Sequence, residues 1–408
     1  MRRDPMRDDE AAKAPLRHVH NAGAGGAMPD GVRLALSPVE HEAAVAEITS
    51  WPGYAPTPLV SLPGAARAAG VAAVLYKDEA HRFDLASFKA LGGAYAVLRV
   101  LQERLRAEGH EATATDLIGG AHRDFVSRQT VACATDGNHG RSVAWGAQLF
   151  GCRCFIYLHQ NVSADREAAI AAFGATIVRT PGDYDASVRQ CGRDAESNGW
   201  ALVADTNSGG GPDTIPLLVM QGYTLMVREM LDQLDAPATH VFIPAGVGGL
   251  AAAVSGHWAV VEGDRRPRMI AVEPHAADCV YRAIDTGTPA PLGGDVNSFM
   301  ACLSAGEVSP VAWPVLQHAL DDVVTIPDDR AIDTMRALAS GRWGDPPLVS
   351  GESGCAALAA LLAARDVPAA WQALGLGPDS RVVVIGSEGA TAPDIYERIV
   401  GRRPQEVA

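Results

Sequence analysis

Ser87-Phe88-Lys89-Ala90-Leu91-Gly92-Gly93 sets one amine among apolar and small neighbours where a helical pattern begins. An arginine guanidinium stays protonated near neutral pH and cannot form a Schiff base; a desolvated lysine amine can. A solvated lysine at a helix end is the plain alternative. Composition weakens it, because among the 34 Lys and Arg residues only Lys13, Lys77 and Lys89 are lysine. Lys13 falls in a polar N-terminal stretch and Lys77 stands beside Asp78 and Glu79. Lys89 is left as the candidate for covalent chemistry.

Four further segments carry complementary chemistry. In Thr135-Asp136-Gly137-Asn138-His139-Gly140, two glycines permit tight backbone and the following helix offers free N–H groups to an anion. The Asn138 amide suits an oxygen. Asp136 is a carboxylate in an anion-binding setting, which suggests proton transfer or pairing with a cation, with an Asx-type turn as the alternative. His139 reads as structural. Pro244-Ala245-Gly246-Val247-Gly248-Gly249-Leu250 joins an apolar run to an alanine-rich helix, and its backbone amides form a phosphate cradle. No Gly-Lys-Ser/Thr follows, so it is not a nucleoside-triphosphate loop. Ser350-Gly351-Glu352-Ser353-Gly354 and Gly386-Ser387-Glu388-Gly389 complete the set. A serine hydroxyl there can hydrogen-bond a ring nitrogen without protonating it, though either segment could also be a helix cap. Together the segments ask for a ligand with a phosphate, an aldehyde, a ring oxygen and a ring nitrogen. Pyridoxal 5'-phosphate has all four.

The elements that position these groups are legible as short apolar runs alternating with helices. Val74–Tyr76, Val131–Thr135, Cys154–Leu158, 175–179, His240–Pro244, Met269–Val272 and Val382–Ile385 read as strands. Leu91, Ala94, Tyr95, Leu98, Leu101 and Leu105 recur at helical spacing, and helices are expected over 142–150 and 163–173. Strands bounded by Gly and Pro between helices indicate parallel sheet covered on both faces. Residues 107–129 are polar and irregular and read as an insertion. The 408 residues suit two lobes of an α/β enzyme. The net charge of −14 argues against nucleic acid and anionic membranes as partners. No apolar run approaches a membrane span, and the polar N-terminus lacks a signal core, so a cytoplasmic protein is expected. The seven cysteines are scattered without zinc spacing and read as reduced thiols, with no metal site.

These motifs resemble the fold-type II pyridoxal-phosphate enzymes, the tryptophan synthase β and threonine deaminase class. Lys77-Asp-Glu79, Ser87 to Gly93, Ala134 to Arg141, Asp205-Thr206, Met220-Gln-Gly-Tyr223 and Ala245 to Gly249 carry the likeness over roughly residues 40–395. Within that class the chain most resembles the diaminopropionate ammonia-lyase family. The resemblance implies a two-lobed fold, each lobe a mostly parallel sheet flanked by helices. It implies that Lys89 holds pyridoxal 5'-phosphate and takes the Cα proton of an L-substrate. Asn138 would bond the ring's 3' oxygen, Gly246, Val247, Gly248, Gly249 and Leu250 would bind the phosphate, and Ser387 would face the pyridine nitrogen. Phe88 and Glu352 complete the cofactor set. Asp136 stands where dehydratases carry serine, and would serve the D-isomer from the opposite face. Asp205 would lie near the substrate's distal amine, with Ser87 and Thr135 also against the substrate.

The reaction expected is α,β-elimination of 2,3-diaminopropionate, or a close β-substituted amino acid, to pyruvate and ammonia. Dehydration of serine, threonine or hydroxyaspartate, or β-replacement, is the sister alternative. An inactive cofactor-binding homologue is disfavoured because lysine and glycine loops are intact, and a Rossmann oxidoreductase because the first strand-to-helix turn lacks its glycines. Asn207-Ser-Gly-Gly-Gly-Pro212 departs from the aromatic residues usual in the family. A loose N-terminal arm is expected over 1–35, a large cofactor domain over 36–92 and 207–408, a small domain over 93–206, and a homodimer acting on a small amino acid.

Overall fold

The computed structural model describes residues 14–135, 137–206 and 214–407. Its strands are β1 (Arg17–His20), β2 (Leu59–Ser61), β3 (Ala73–Asp78), β4 (Thr130–Ala134), β5 (Arg153–His159), β6 (Thr176–Thr180), β7 (Ala201–Leu202), β8 (His240–Pro244), β9 (Arg268–Pro274), β10 (Asp322–Ile326) and β11 (Arg381–Gly386). The helices that bear on function are α1 (Lys89–Ala107), α2 (Asn138–Phe150), α3 (Thr214–Tyr223), α4 (Gly249–Glu262), α5 (Cys279–Thr286) and α6 (Ala356–Arg365).

The chain divides into two compact units: Met1–Arg33, Thr57–His81 and Val227–Ala408 form one, Leu34–Pro56 and Arg82–Met226 the other. In the first, seven strands follow the order β1-β10-β9-β8-β11-β3-β2. The inner strands are parallel, and the edge strands β1 and β2 pair antiparallel with β10 and β3. Val382, Val383, Val384 and Ile385 are all buried, as a run covered on both faces requires. Val74, Phe242, Ile270, Val324 and Val384 join one core with the alanine-rich α6. Strand β8 lies between β9 and β11, so the loops leaving the carboxyl ends of β8 and β11 are neighbours.

The second unit holds a parallel sheet of order β6-β5-β4-β7. Strands β4 and β7 are adjacent, which brings the turn after β4 next to the segment after β7. Leu91, Ala94, Tyr95, Leu98, Leu101 and Leu105 of α1 are all buried, as their spacing predicts.

Three stretches differ from the expectation. The N-terminal stretch is not a loose arm where it is described: Arg17–His20 pair with β10, and Asp30–Ala35 is helical. The stretch read as an irregular insertion at 107–129 contains short helices at Ala114–Ile118 and Arg123–Val126. The division into units also differs from the boundaries expected, since residues 34–56, 82–92 and 214–226 belong with the β4–β7 sheet. Close packing explains the last point. A Cβ on Gly92 would overlap the Tyr223 ring and one on Gly222 the Leu91 carbonyl, so α1 and α3 meet backbone to backbone.

Candidate active site

Lys89 opens α1 directly after an unusual segment. Phe83, Asp84 and Ala86 have φ of 49°, 58° and 51°, a left-handed conformation costing side-chain-bearing residues about 1–2 kcal/mol each. Surrounding contacts hold it there. The Phe83 ring lies 4.9 Å from Trp145 and 5.8 Å from Trp51, centroid to centroid. Arg141, on α2, donates to the Leu85 carbonyl at 3.1 Å. Ser142, also on α2, donates to the Lys89 carbonyl at 2.7 Å and accepts from the Ala94 N–H at 3.1 Å. The lysine's backbone is therefore fixed by the helix that begins at Asn138.

The Lys89 ammonium pairs with the Asp205 carboxylate just beyond β7. Its side chain is 20 % exposed, so the amine is sheltered yet reachable. Nζ stands 5.6 Å from the centre of the Phe88 ring, which meets Tyr223 edge-on at 4.8 Å. Burial alone would raise the Asp205 carboxyl; the Lys89 ammonium outweighs it and holds the group well below the usual carboxylate range.

His139 is buried in the first turn of α2. Its Nε2 lies 3.0 Å from the Val203 carbonyl oxygen, which can only accept, so Nε2 carries the proton. Burial lowers its pKa, so the ring is neutral, and Nδ1 presents a lone pair 3.9 Å from Asp205 Oδ2. That Nδ1 has no hydrogen-bond partner. The Tyr223 hydroxyl is likewise buried without a partner, its pKa raised by burial, opposed by Lys89 and reinforced by Asp205.

Thr135, expected against the substrate, gives its hydroxyl to its own turn, accepting from Gly137 N–H at 3.1 Å and Gly140 N–H at 3.0 Å. Ser87 accepts from the Lys89 N–H at 3.3 Å. Asn138 is the first residue of α2. Asp136 and the Asn207–Pro212 departure lie outside the described residues. Sequence reasoning named the Met220-Gln-Gly-Tyr223 motif without giving Tyr223 a role, and it set His139 aside.

In the other unit, β8 runs into Ala245–Gly248 and α4 starts at Gly249. Gly248 has φ 95°, and a Cβ there would come 2.7 Å from Leu316 Cδ1. No side chain caps α4, so its first N–H groups keep their capacity for an anion. A Cβ on Gly249 would meet nothing within 4 Å, which leaves room at that helix start. After β11, Ser387 is buried. Glu388 accepts from the Ser353 N–H at 3.1 Å and from the Thr391 hydroxyl at 3.0 Å. Gly351 N–H donates to the Glu388 carbonyl at 2.9 Å, so the two serine-glycine segments meet, with Glu352 buried between Gly351 and Ser353. Cys302, an exposed thiol, lies 3.4 Å from Glu388 Oε2.

Each unit by itself offers groups that pyridoxal 5'-phosphate can use: a sheltered, accessible amine in one, and in the other an uncapped helix start suited to a phosphate and a buried serine hydroxyl suited to a ring nitrogen. Comparison with known proteins agrees. A family profile described as "Pyridoxal-phosphate dependent enzyme" matches residues 50–388. The diaminopropionate ammonia-lyase of Escherichia coli is 36 % identical over 362 residues, covering 87 % of this chain and 90 % of its own length. Its holo crystal structure superposes with a TM-score of 0.85 at 33 % identity, over 94 % of this chain and 96 % of that one. The structure of that enzyme with an aminoacrylate-PLP azomethine reaction intermediate gives a TM-score of 0.84 at 32 % identity, covering 95 % and 97 %. The chain belongs to the pyridoxal-phosphate-dependent enzymes, and within them to the diaminopropionate ammonia-lyase family.

Proposed function

We propose that this chain carries out α,β-elimination on 2,3-diaminopropionate, releasing the β-amino group as ammonia. The eliminated product then hydrolyses to pyruvate and a second ammonia. The observation that carries the reading is the Lys89 amine facing Asp205, a carboxylate kept ionised in a sheltered site that also holds a neutral imidazole. A substrate with two ammonium groups calls for such a carboxylate.

Pyridoxal 5'-phosphate, when bound, supplies the electron sink that makes the Cα proton removable. Lys89 holds the cofactor and takes that proton from the L-isomer. Asp136 serves the D-isomer from the other face. Gly246, Val247, Gly248, Gly249 and Leu250 hold the phosphate by backbone N–H groups. Asn138 orients the ring through its 3' oxygen. Ser387 meets the ring nitrogen as a neutral partner, with Phe88 and Glu352 beside the cofactor. Ser87 fixes the start of α1 through the Lys89 N–H. We read the enzyme as a cytoplasmic homodimer that acts on a small amino acid and binds neither nucleic acid nor membrane. The net charge of −14 supports this, and no described helix is long and apolar enough to cross a membrane.

The test is pyruvate and ammonia release from both isomers of diaminopropionate, with serine, threonine and hydroxyaspartate alongside. Two ammonia per pyruvate from diaminopropionate is expected. Efficient turnover of the hydroxy acids with none of diaminopropionate would assign the chain to the dehydratases instead.

A further inference from the structure

His139 reads as structural from its sequence context, and half of its ring behaves so. Nε2–H is tied to the Val203 carbonyl at 3.0 Å. The other half does not. Nδ1 is a buried acceptor without a partner, on a side chain only 7 % exposed, and it stands 3.9 Å from Asp205 Oδ2. A buried acceptor left unpaired costs free energy, so its persistence in a polar pocket points to a donor from outside the fold.

The spacing says which donor. One nitrogen placed at ordinary hydrogen-bond length, about 2.8 Å, from both atoms would reach Nδ1 and Oδ2 with two of its N–H bonds. An ammonium has three protons and can satisfy both acceptors at once. A hydroxyl has one and must leave the other acceptor bare. A primary ammonium already occupies one member of the pair, since the Lys89 Nζ sits on Asp205 Oδ2 while Nδ1 stays unbonded. The fold builds the pair deliberately, because β4 and β7 are neighbours and carry the His139 turn and Asp205 out at the same sheet end.

We propose that His139 Nδ1 and Asp205 together form the seat for the substrate's β-ammonium, and that His139 is the residue distinguishing a β-amino from a β-hydroxyl group. The proposal rests on the elimination reading above. Asp205 supplies the charge. His139 supplies a neutral second acceptor that orients the ammonium without competing for its proton. The Cβ–N bond then breaks with the nitrogen already protonated, and ammonia leaves neutral.

Two conservative variants separate the ring's two roles. His139→Gln keeps a group that reaches Val203 and loses the acceptor at Nδ1. His139→Asn keeps a polar atom at the Nδ1 position and loses the Val203 bond. In the holoenzyme, His139→Gln should keep its melting temperature. It should lose roughly 10- to 100-fold in kcat/KM on diaminopropionate, the effect of one hydrogen bond to a charged group. Its affinity for serine, read from the cofactor absorption spectrum, should stay within about 2-fold, because a hydroxyl never used both acceptors. His139→Asn should melt lower and recover much of the diaminopropionate activity. As a readout independent of turnover, 1,2-diaminoethane should bind wild type more tightly than 2-aminoethanol, and His139→Gln should erase that preference. Equal losses for diaminopropionate and serine, or no diamine preference in wild type, would overturn the proposal. A wild type inactive on diaminopropionate would instead overturn the elimination reading, before any variant is compared.

Discussion

Lys77 and Lys89 each face a carboxylate, yet their surroundings differ in kind. Lys77 is fully buried in one unit, and its Nζ donates to Glu229 at 2.7 Å, the Thr57 carbonyl at 2.8 Å and Gln233 at 3.0 Å. Thr57 in turn donates to Glu79 at 2.6 Å. All three ammonium protons have acceptors, which is what a buried charge needs if it is to be stable. Lys89, in the other unit, is partly exposed and pairs with Asp205, while His139 Nδ1 and the Tyr223 hydroxyl beside it go unbonded. A lysine whose neighbours are all satisfied is a structural pin. A lysine among groups with hydrogen-bonding capacity to spare is a reagent.

The largest effect belongs to Lys89→Ala, which should cut turnover by at least roughly 10³-fold and abolish the visible band of a lysine-bound cofactor while the protein stays folded. A borohydride-reducible cofactor adduct persisting in that variant would remove Lys89 from the role. Lys77→Met should do the reverse. It takes the ammonium partner away from the buried Glu229 and should cost about 3–5 kcal/mol in urea unfolding, with the cofactor band intact in the folded fraction. Adding Glu229→Gln should return part of that stability. If Lys77→Met were neutral in stability, the pin would be no pin.

Gly248→Ala tests the anion loop in the unit that holds Lys77. A side chain there must adopt φ 95° and displace Leu316, so cofactor affinity should fall roughly 10-fold, measured by equilibrium dialysis, with less change in melting temperature. The smallest effect comes from a buried carboxylate that has no cation among the described residues. Glu273 accepts from the Val280 and Tyr281 N–H groups at the start of α5, at 2.8 and 2.7 Å. Burial raises its pKa to about 8, with those N–H groups opposing. The native state then holds a proton that the unfolded chain, with a glutamate near about 4.3, gives up earlier. Stability should therefore be greatest at low pH and decline as pH rises from about 4.5 to 8. Glu273→Gln should flatten that part of the melting-temperature profile, and an unchanged slope would show that another group causes it.

Much of this was legible in the sequence, for reasons that differ by residue. The strands at His240–Pro244 and Arg381–Gly386 announce themselves because a strand buried on both faces must be apolar throughout. Lys89 stands out because arginine does the ordinary cationic work elsewhere. Strand β1 was hidden. It is held by polar contacts across the sheet, His18 to Asp322 at 2.8 Å with Arg268 on the same carboxylate, and leaves no apolar period to read. The unbonded Nδ1 of His139 leaves no trace in the sequence, because a histidine's tautomer is set by whichever group meets its far nitrogen, here a carbonyl on another strand's exit. Tyr223 was hidden for a similar reason, since its place depends on how closely Gly92 lets α3 approach.

The left-handed run before Lys89 carries a consequence for anyone who would improve this protein. Glycine adopts positive φ freely, so Ala86→Gly would be an easy change for the folded backbone to accept. It would also widen the range of directions from which α1, and the amine at its tip, can set out. At this one stretch robustness and aim pull against each other, and a screen that selects for heat tolerance alone would trade the second for the first.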